Sequence, residues 1–92
     1  MVKHDLTNSL IKAFPGISNK DMSAVVDALL ESMTQALMQG EAIELRGLGR
    51  FKIKERRPIK GRNPKTETPI YIPKRWIVSF KPSESLSKRI NQ

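Results

Sequence analysis

The run Gly61-Arg62-Asn63-Pro64-Lys65-Thr66 carries residue types suited to chemistry on a polyanion. Its Asn63-Pro64 step favours a turn, because proline fixes its own φ and pushes the residue before it toward extended conformations. Around that turn lie Arg56, Arg57, Lys60, Arg62, Lys65, Lys74 and Arg75, punctuated by Pro58, Pro69 and Pro73, with few large apolar residues to form a local core. A charged hairpin of this kind has little to fold onto and is expected to reach a partner. Cations neutralise phosphates, and Pro64, wedge-shaped and without an N–H, suits insertion between stacked bases. The plainer reading of the motif is a turn with charged flanks.

The charge of the chain points the same way. Its net +8 is unevenly placed: Met1 to Leu45 holds three Lys/Arg against six Asp/Glu, or −3, and Arg46 to Gln92 holds fourteen against three, or +11. The second half is expected to face an anionic partner and the first half to do another job, such as assembly. A membrane surface is the competing anion, but the basic half is not an amphipathic helix. No apolar run reaches the length of a membrane span, and the N-terminus lacks the order of a signal peptide, so a soluble intracellular chain is expected. There is no cysteine, which is compatible with a reducing compartment.

Catalytic chemistry has little to work with. His4 is the single histidine, and its neighbour Asp5 projects elsewhere from a helix start, so the pair is not part of a triad. No cysteine or carboxylate cluster has metal-ligand spacing. Gly47-Leu48-Gly49 is too short for a dinucleotide fingerprint and reads as a tight turn between strands. The expectation is a protein that is not an enzyme, with no cofactor, metal or small-molecule substrate. Backbone amides at the Gly47-Leu48-Gly49 turn and at the Ser83 helix start are expected to donate to phosphate oxygens.

These groups need a scaffold. Leu6, Leu10, Ile11 and Phe14 recur near one helical turn until Pro15-Gly16 ends the pattern, predicting a short amphipathic helix from Val2 or Lys3. Ser18 with Asp21 resembles a capping box and Ile17 with Met22 has staple spacing. A second helix therefore runs from about Asn19 to about Gln39, stopped by Gly40. Its stripe is Met22, Val26, Leu29, Met33 and Leu37, widened by Val25, Leu30 and Met38. An arc this wide predicts a dimer interface of Val25, Val26, Leu29, Leu30, Met33 and Leu37, with Phe51 and Phe80 contributing from the sheet. The alternative is a helix buried inside a monomer, but a chain of 92 residues with a projecting arm keeps too little for a comfortable core alone.

A short strand over Ala42–Arg46, the glycine turn, an alternating strand over Arg50–Arg56 and a returning strand with Trp76, Val78 and Phe80 on its inner row follow. Ser83 is placed to cap a last short helix carrying Leu86 and Ile90. The reading is one α+β domain over 1–92: a helical assembly part about 1–40, a three-stranded antiparallel sheet about 41–56 and 75–81, an arm about 57–74, and a C-terminal helix about 83–91.

With that layout, Gly47-Leu48-Gly49-Arg50-Phe51, then Gly61-Arg62-Asn63-Pro64-Lys65-Thr66, then Phe80-Lys81-Pro82 resemble the bacterial histone-like HU and integration host factor family over essentially the whole chain. The resemblance implies an intertwined dimer, either of identical chains or with a related subunit. Helices form its body, and two β-ribbon arms wrap double-stranded DNA through the minor groove. It implies that Pro64 intercalates and kinks the duplex, while Arg62, Asn63 and Lys65 contact groove floor and backbone. Arg46, Gly47, Arg56, Arg57, Lys60, Lys74, Arg75, Lys81 and Ser83 complete the expected DNA contacts. The implied role is architectural, in nucleoid organisation and in recombination, replication or transcription complexes, in the bacterial cytoplasm.

A basic residue matching Arg46 reaches the minor groove in the integration-host-factor branch; a strand-end phosphate contact is the other reading. The run Lys74–Phe80 and the ending Ser87–Asn91 look closer to that branch's alpha subunit. The chain departs from the family at Glu67, where Gly is usual, at Leu48, where Phe is usual, and at Ser83, where Gly is common. The alternative function is a ribosome-associated or other RNA-binding structural protein. Against it stands the scarcity of exposed aromatics for base stacking, Tyr71 being the one candidate near the arm.

Overall fold

The first helix, α1 (Lys3–Ala13), opens on half a capping box: the Asp5 carboxylate accepts from the Val2 N–H at 3.0 Å, and its charge suits the positive end of the helix dipole. In this computed structural model the backbone is described for residues 1–62 and 69–92, and side chains outside 59–72. The expectations for Asn63, Pro64, Lys65 and Glu67 therefore lie outside the described residues. The second helix, α2 (Asn19–Met38), is capped by Ser18, whose Oγ accepts from Asp21 N–H at 3.1 Å.

Gly40 ends α2 as the periodicity predicts, with φ of 80°. Its N–H donates to the Leu37 carbonyl at 3.0 Å and that of Glu41 to the Ala36 carbonyl at 2.9 Å, the paired bonds of a Schellman motif. Residues Met1–Gln35 form one compact unit and Ala36–Gln92 a second. In the first, Met22 and Val26 are 3% and 1% exposed and Thr7 is buried, its hydroxyl donating to the Lys3 carbonyl at 3.1 Å. An ion pair of 2.8 Å joins Lys3 to Asp27.

The second unit contains β1 (Ile43–Leu45), β2 (Gly49–Arg56), β3 (Ile59–Arg62), β4 (Pro69–Ile72), β5 (Arg75–Pro82) and α3 (Glu84–Ile90). Strands β1, β2 and β5 form an antiparallel sheet in that order, and β3 pairs with β4 in a separate ribbon. Strand β1 is shorter than the apolar pattern predicts, because Arg46 belongs to the turn that the Leu48 N–H closes onto the Leu45 carbonyl at 3.0 Å. Register pairs Phe51 with Phe80 and Ile53 with Val78. The two phenylalanine rings lie 4.7 Å apart in a tilted arrangement, a geometry that adds to their area burial.

Gly49 is where the sheet admits no side chain. A Cβ there would run into the Lys81 carbonyl oxygen and come within 2.8 Å of the Phe80 ring. Because one contact is backbone on a paired strand, it cannot move aside. Gly49→Ala is expected to cost about 1–3 kcal/mol of stability, read as a lowered midpoint in urea with an unchanged slope. A variant as stable as the parent would contradict the close approach.

Candidate nucleic-acid interface

Alternation sorts the sheet into two chemically different faces. Directly opposed residues share a face, and faces alternate along each strand. One face carries Ile43, Phe51, Ile53, Val78 and Phe80. The other carries Arg50, Lys52, Lys54 and Arg56 on β2, opposite Lys81, Ser79, Ile77 and Arg75 on β5. Six cations thus share one face, those of β2 spaced about 7 Å apart over about 20 Å. Glu44, opposite Arg50, is the acid on that face among the described residues. Sequence reasoning names Arg56, Arg75 and Lys81 among the expected DNA contacts and does not name Arg50, Lys52 and Lys54, which the register sets on the same face. The period-two pattern of β2 was the signal that could have found them.

At one end of this face the structure brings together Arg46, Gly47, Lys81 and Ser83, four of the expected contacts. With Arg50 they line an open cavity of about 380 Å³. A smaller cavity of about 160 Å³, lined by Arg50, Lys52, Ser79 and Lys81, shares two of those residues. The Gly47 N–H has no backbone partner among the described residues. The amide expected of Ser83 is not available: it donates to the Leu48 carbonyl at 2.9 Å, fixing the start of α3 to the glycine turn. Its hydroxyl caps α3 by accepting from Leu86 N–H at 3.1 Å and lies 3.2 Å from the Ser85 hydroxyl. Ser83 thus contributes as a cap, and the local donors are the side chains of Arg46, Arg50 and Lys81.

At the other end, Arg56 stands opposite Arg75, and Arg57 and Lys74 follow just outside the sheet. These four expected contacts converge where the ribbon begins. Lys74 is engaged locally, 3.3 Å from the Glu55 carboxylate and 5.5 Å from the centre of the Trp76 ring. Both partners of the ion pair are about half exposed, so water screens it and it holds the lysine weakly. Beyond, the ribbon pairs Ile59 with Ile72, Lys60 with Tyr71, Gly61 with Ile70 and Arg62 with Pro69. Lys60 and Arg62 therefore extend the cationic sequence outward along a paired backbone.

The aromatics that solvent reaches bear on the choice of nucleic acid. Trp76 and Phe80, 63% and 42% exposed, pair with Glu55 and Phe51 on the apolar face, away from the six cations of the other face, and the Trp76 ring already has Lys74 over it. Among the described side chains the cationic face of the sheet has no ring for stacking unpaired bases; the side chain of Tyr71, opposite Lys60 on the ribbon, lies outside them. Among the described residues no three His, Asp or Glu side chains cluster as metal ligands, and no helix is long and apolar enough to cross a membrane.

Two apolar surfaces remain uncovered. On α2, Val25 and Leu29 are both 55% exposed and Leu30 is also exposed, whereas Val26 is already spent inside the first unit and Met33 and Leu37 are half-buried. On the sheet, Val78 and Phe80 are exposed and Phe51 is half-buried.

Residues 1–91 match the family model described as bacterial DNA-binding protein. Integration host factor subunit beta of Dechloromonas aromatica is 37% identical over 92 residues, covering 100% of this chain and 98% of that protein. The subunit beta of Methylococcus capsulatus is 38% identical over 91 residues, covering 99% of this chain and 96% of its own. The expected lean toward an alpha subunit finds no support in these relatives. Among solved structures, an Anabaena HU–DNA cocrystal structure superposes with a TM-score of 0.84 at 29% identity, covering 98% of this chain and 97% of that one. A mutant HU from Thermotoga maritima superposes at 0.69 with 26% identity, covering 98% of this chain and 99% of its own.

Proposed function

We propose that this chain, which belongs to the bacterial DNA-binding protein family, is a dimeric architectural protein that binds and bends double-stranded DNA through the minor groove. The observation that carries the reading is the sheet face on which Arg50, Lys52, Lys54, Arg56, Arg75 and Lys81 lie together, continuous at one end with Arg46 and at the other with the ribbon. Phosphates of a duplex lie along that row, Arg46 meets the minor groove or its flanking phosphate, and Lys60, Arg62, Asn63 and Lys65 follow the duplex outward. Pro64 enters the base stack. Partial unstacking costs about a few kcal/mol per step, and the bend it produces lets flanking DNA reach further cations.

In this reading the uncovered face of α2, with Val25, Leu29 and Leu30, and the apolar sheet face, with Phe51 and Phe80, close against a second subunit, identical or related. The division of labour follows: helices over about 1–40 for assembly, the sheet as a phosphate platform, the arm over about 57–74 for the groove. The role is non-enzymatic, in the bacterial cytoplasm on the nucleoid, in compaction and in bent complexes for recombination, replication or transcription.

The test is the salt dependence of duplex binding by the parent and by Lys52→Ala, whose side chain is exposed. Log K falls with log salt by about 0.9 per phosphate neutralised, so the variant's slope is expected to be shallower by about that amount for each subunit that carries the change, and its affinity lower on every sequence alike. An unchanged slope would remove the sheet face from the interface. Tighter binding to a single-stranded RNA than to duplex would overturn the choice of DNA.

A further inference from the structure

The sheet and the ribbon lie on one register, yet the ladder between them is broken. Three steps outward from Arg56 opposite Arg75, along both strands at once, arrive at Ile59 opposite Ile72. No residue is inserted on either side, so this is not a bulge. On the same register Arg57 stands opposite Lys74 and Pro58 opposite Pro73, and none of these four belongs to a strand.

Hydrogen-bond phase explains the break. Opposed residues in an antiparallel ladder alternate between rungs that exchange both N–H···O bonds and rungs that exchange none. The Ser83 N–H donates to the Leu48 carbonyl, and Pro82, opposite Gly49, has no N–H to give. The bonded rungs of the sheet therefore fall at Leu48/Ser83, Arg50/Lys81 and every second rung outward to Arg56/Arg75. The next in phase is Pro58 opposite Pro73, where both donors are missing. A single proline would remove one bond; two facing prolines on a bonded rung remove both.

Charge weakens the same place. Arg56 opposite Arg75 and Arg57 opposite Lys74 are consecutive like-charge pairs, and like charges directly opposed destabilise pairing. Lys74 turns to Glu55 and the face of Trp76, which braces the sheet side of the break. Both prolines are exposed, so no packing replaces the missing bonds.

We infer that Pro58 and Pro73 together form a hinge, and that they are positioning residues for DNA binding: the two-stranded ribbon turns as a paired unit about their rung to meet the groove. The hinge's use rests on the DNA-bending reading above; its geometry does not.

Pro58→Thr/Pro73→Thr returns both donors with a residue suited to strands. Hydrogen exchange on the free protein is expected to show both new amides protected about tenfold or more over solvent-exposed ones, with the thermal midpoint not lowered. Stopped-flow association with a short intact duplex is expected to slow by about tenfold, because a ribbon held to the sheet must break a closed rung before it docks. Either single substitution restores one bond and falls between, which keeps the test open if the double variant folds poorly. New amides that exchange as freely as exposed ones would overturn the rung assignment. Protected amides with association as fast as the parent's would overturn the hinge. A parent that binds no duplex would overturn the DNA reading and the hinge's use with it, while exchange would still decide the geometry.

Discussion

Leu29→Asp separates the subunits and unfolds them in one step. Leu29 is 55% exposed in the single chain and is followed at helical spacing by the half-buried Met33, and the proposed assembly sets its side chain against the partner. In the proposed interface a carboxylate replaces an apolar contact, and each buried unpaired charge costs about several kcal/mol. A symmetric dimer carries two. That is comparable with the whole stability of a small domain, about 5–15 kcal/mol. Among the described residues, only Met22 and Val26 are large apolar side chains buried without a partner, too little to hold a monomer. Sedimentation and circular dichroism at micromolar concentration should show the parent as a helical dimer and the variant as a monomer with most of its helical signal lost. A folded monomer of either protein would contradict the shared core.

The second large effect is expected at Pro64. Pro64→Ala keeps the cations of the sheet face and ribbon and removes the wedge. Non-specific affinity should remain substantial, because it comes from phosphate neutralisation. Affinity for intact duplex is expected to fall about tenfold, equivalent to about 1.4 kcal/mol, since a step must be kinked without an inserted ring. On a duplex nicked at the kink the unstacking is cheaper, and the variant should recover most of the loss. Arg62→Ala should lose affinity on both duplexes and show a shallower salt slope. Equal losses for Pro64→Ala on nicked and intact duplexes would assign Pro64 to the turn alone.

Much of the scaffold was legible because its determinants are local. Ser18 and Gly40 mark the ends of α2 through bonds that reach only a few residues, and the alternation of Phe51 and Ile53 is visible within one strand. What the chain hides is set by partners distant in sequence. The Ser83 amide looks free until the turn at Leu48 is known to lie against it. Nothing in the sequence signals that Lys74, an expected DNA cation, also has Glu55 and the Trp76 ring beside it. Val26 looks equivalent to Leu29 on a helical wheel, yet one is buried within the chain and the other exposed.

The cationic face shows the same limit. Arg50, Lys52 and Lys54 look like an ordinary solvated edge in sequence, and they become a platform only when register sets Lys81 and Arg75 across from the ends of their row. Likewise Pro58 and Pro73 are two unrelated turn signals until one register makes them face each other. Pairing between positions this far apart depends on where both hairpin strands begin, and no local pattern encodes that.

Energy transfer between dyes at the two ends of a short intact duplex, measured as the protein is added at low salt, tests the central claim most directly. Bending brings the ends together, so transfer should rise to a plateau at one dimer per duplex, and Pro64→Ala should saturate at a lower value. A duplex shown by anisotropy to be fully bound, with transfer unchanged from the free DNA, would contradict the account.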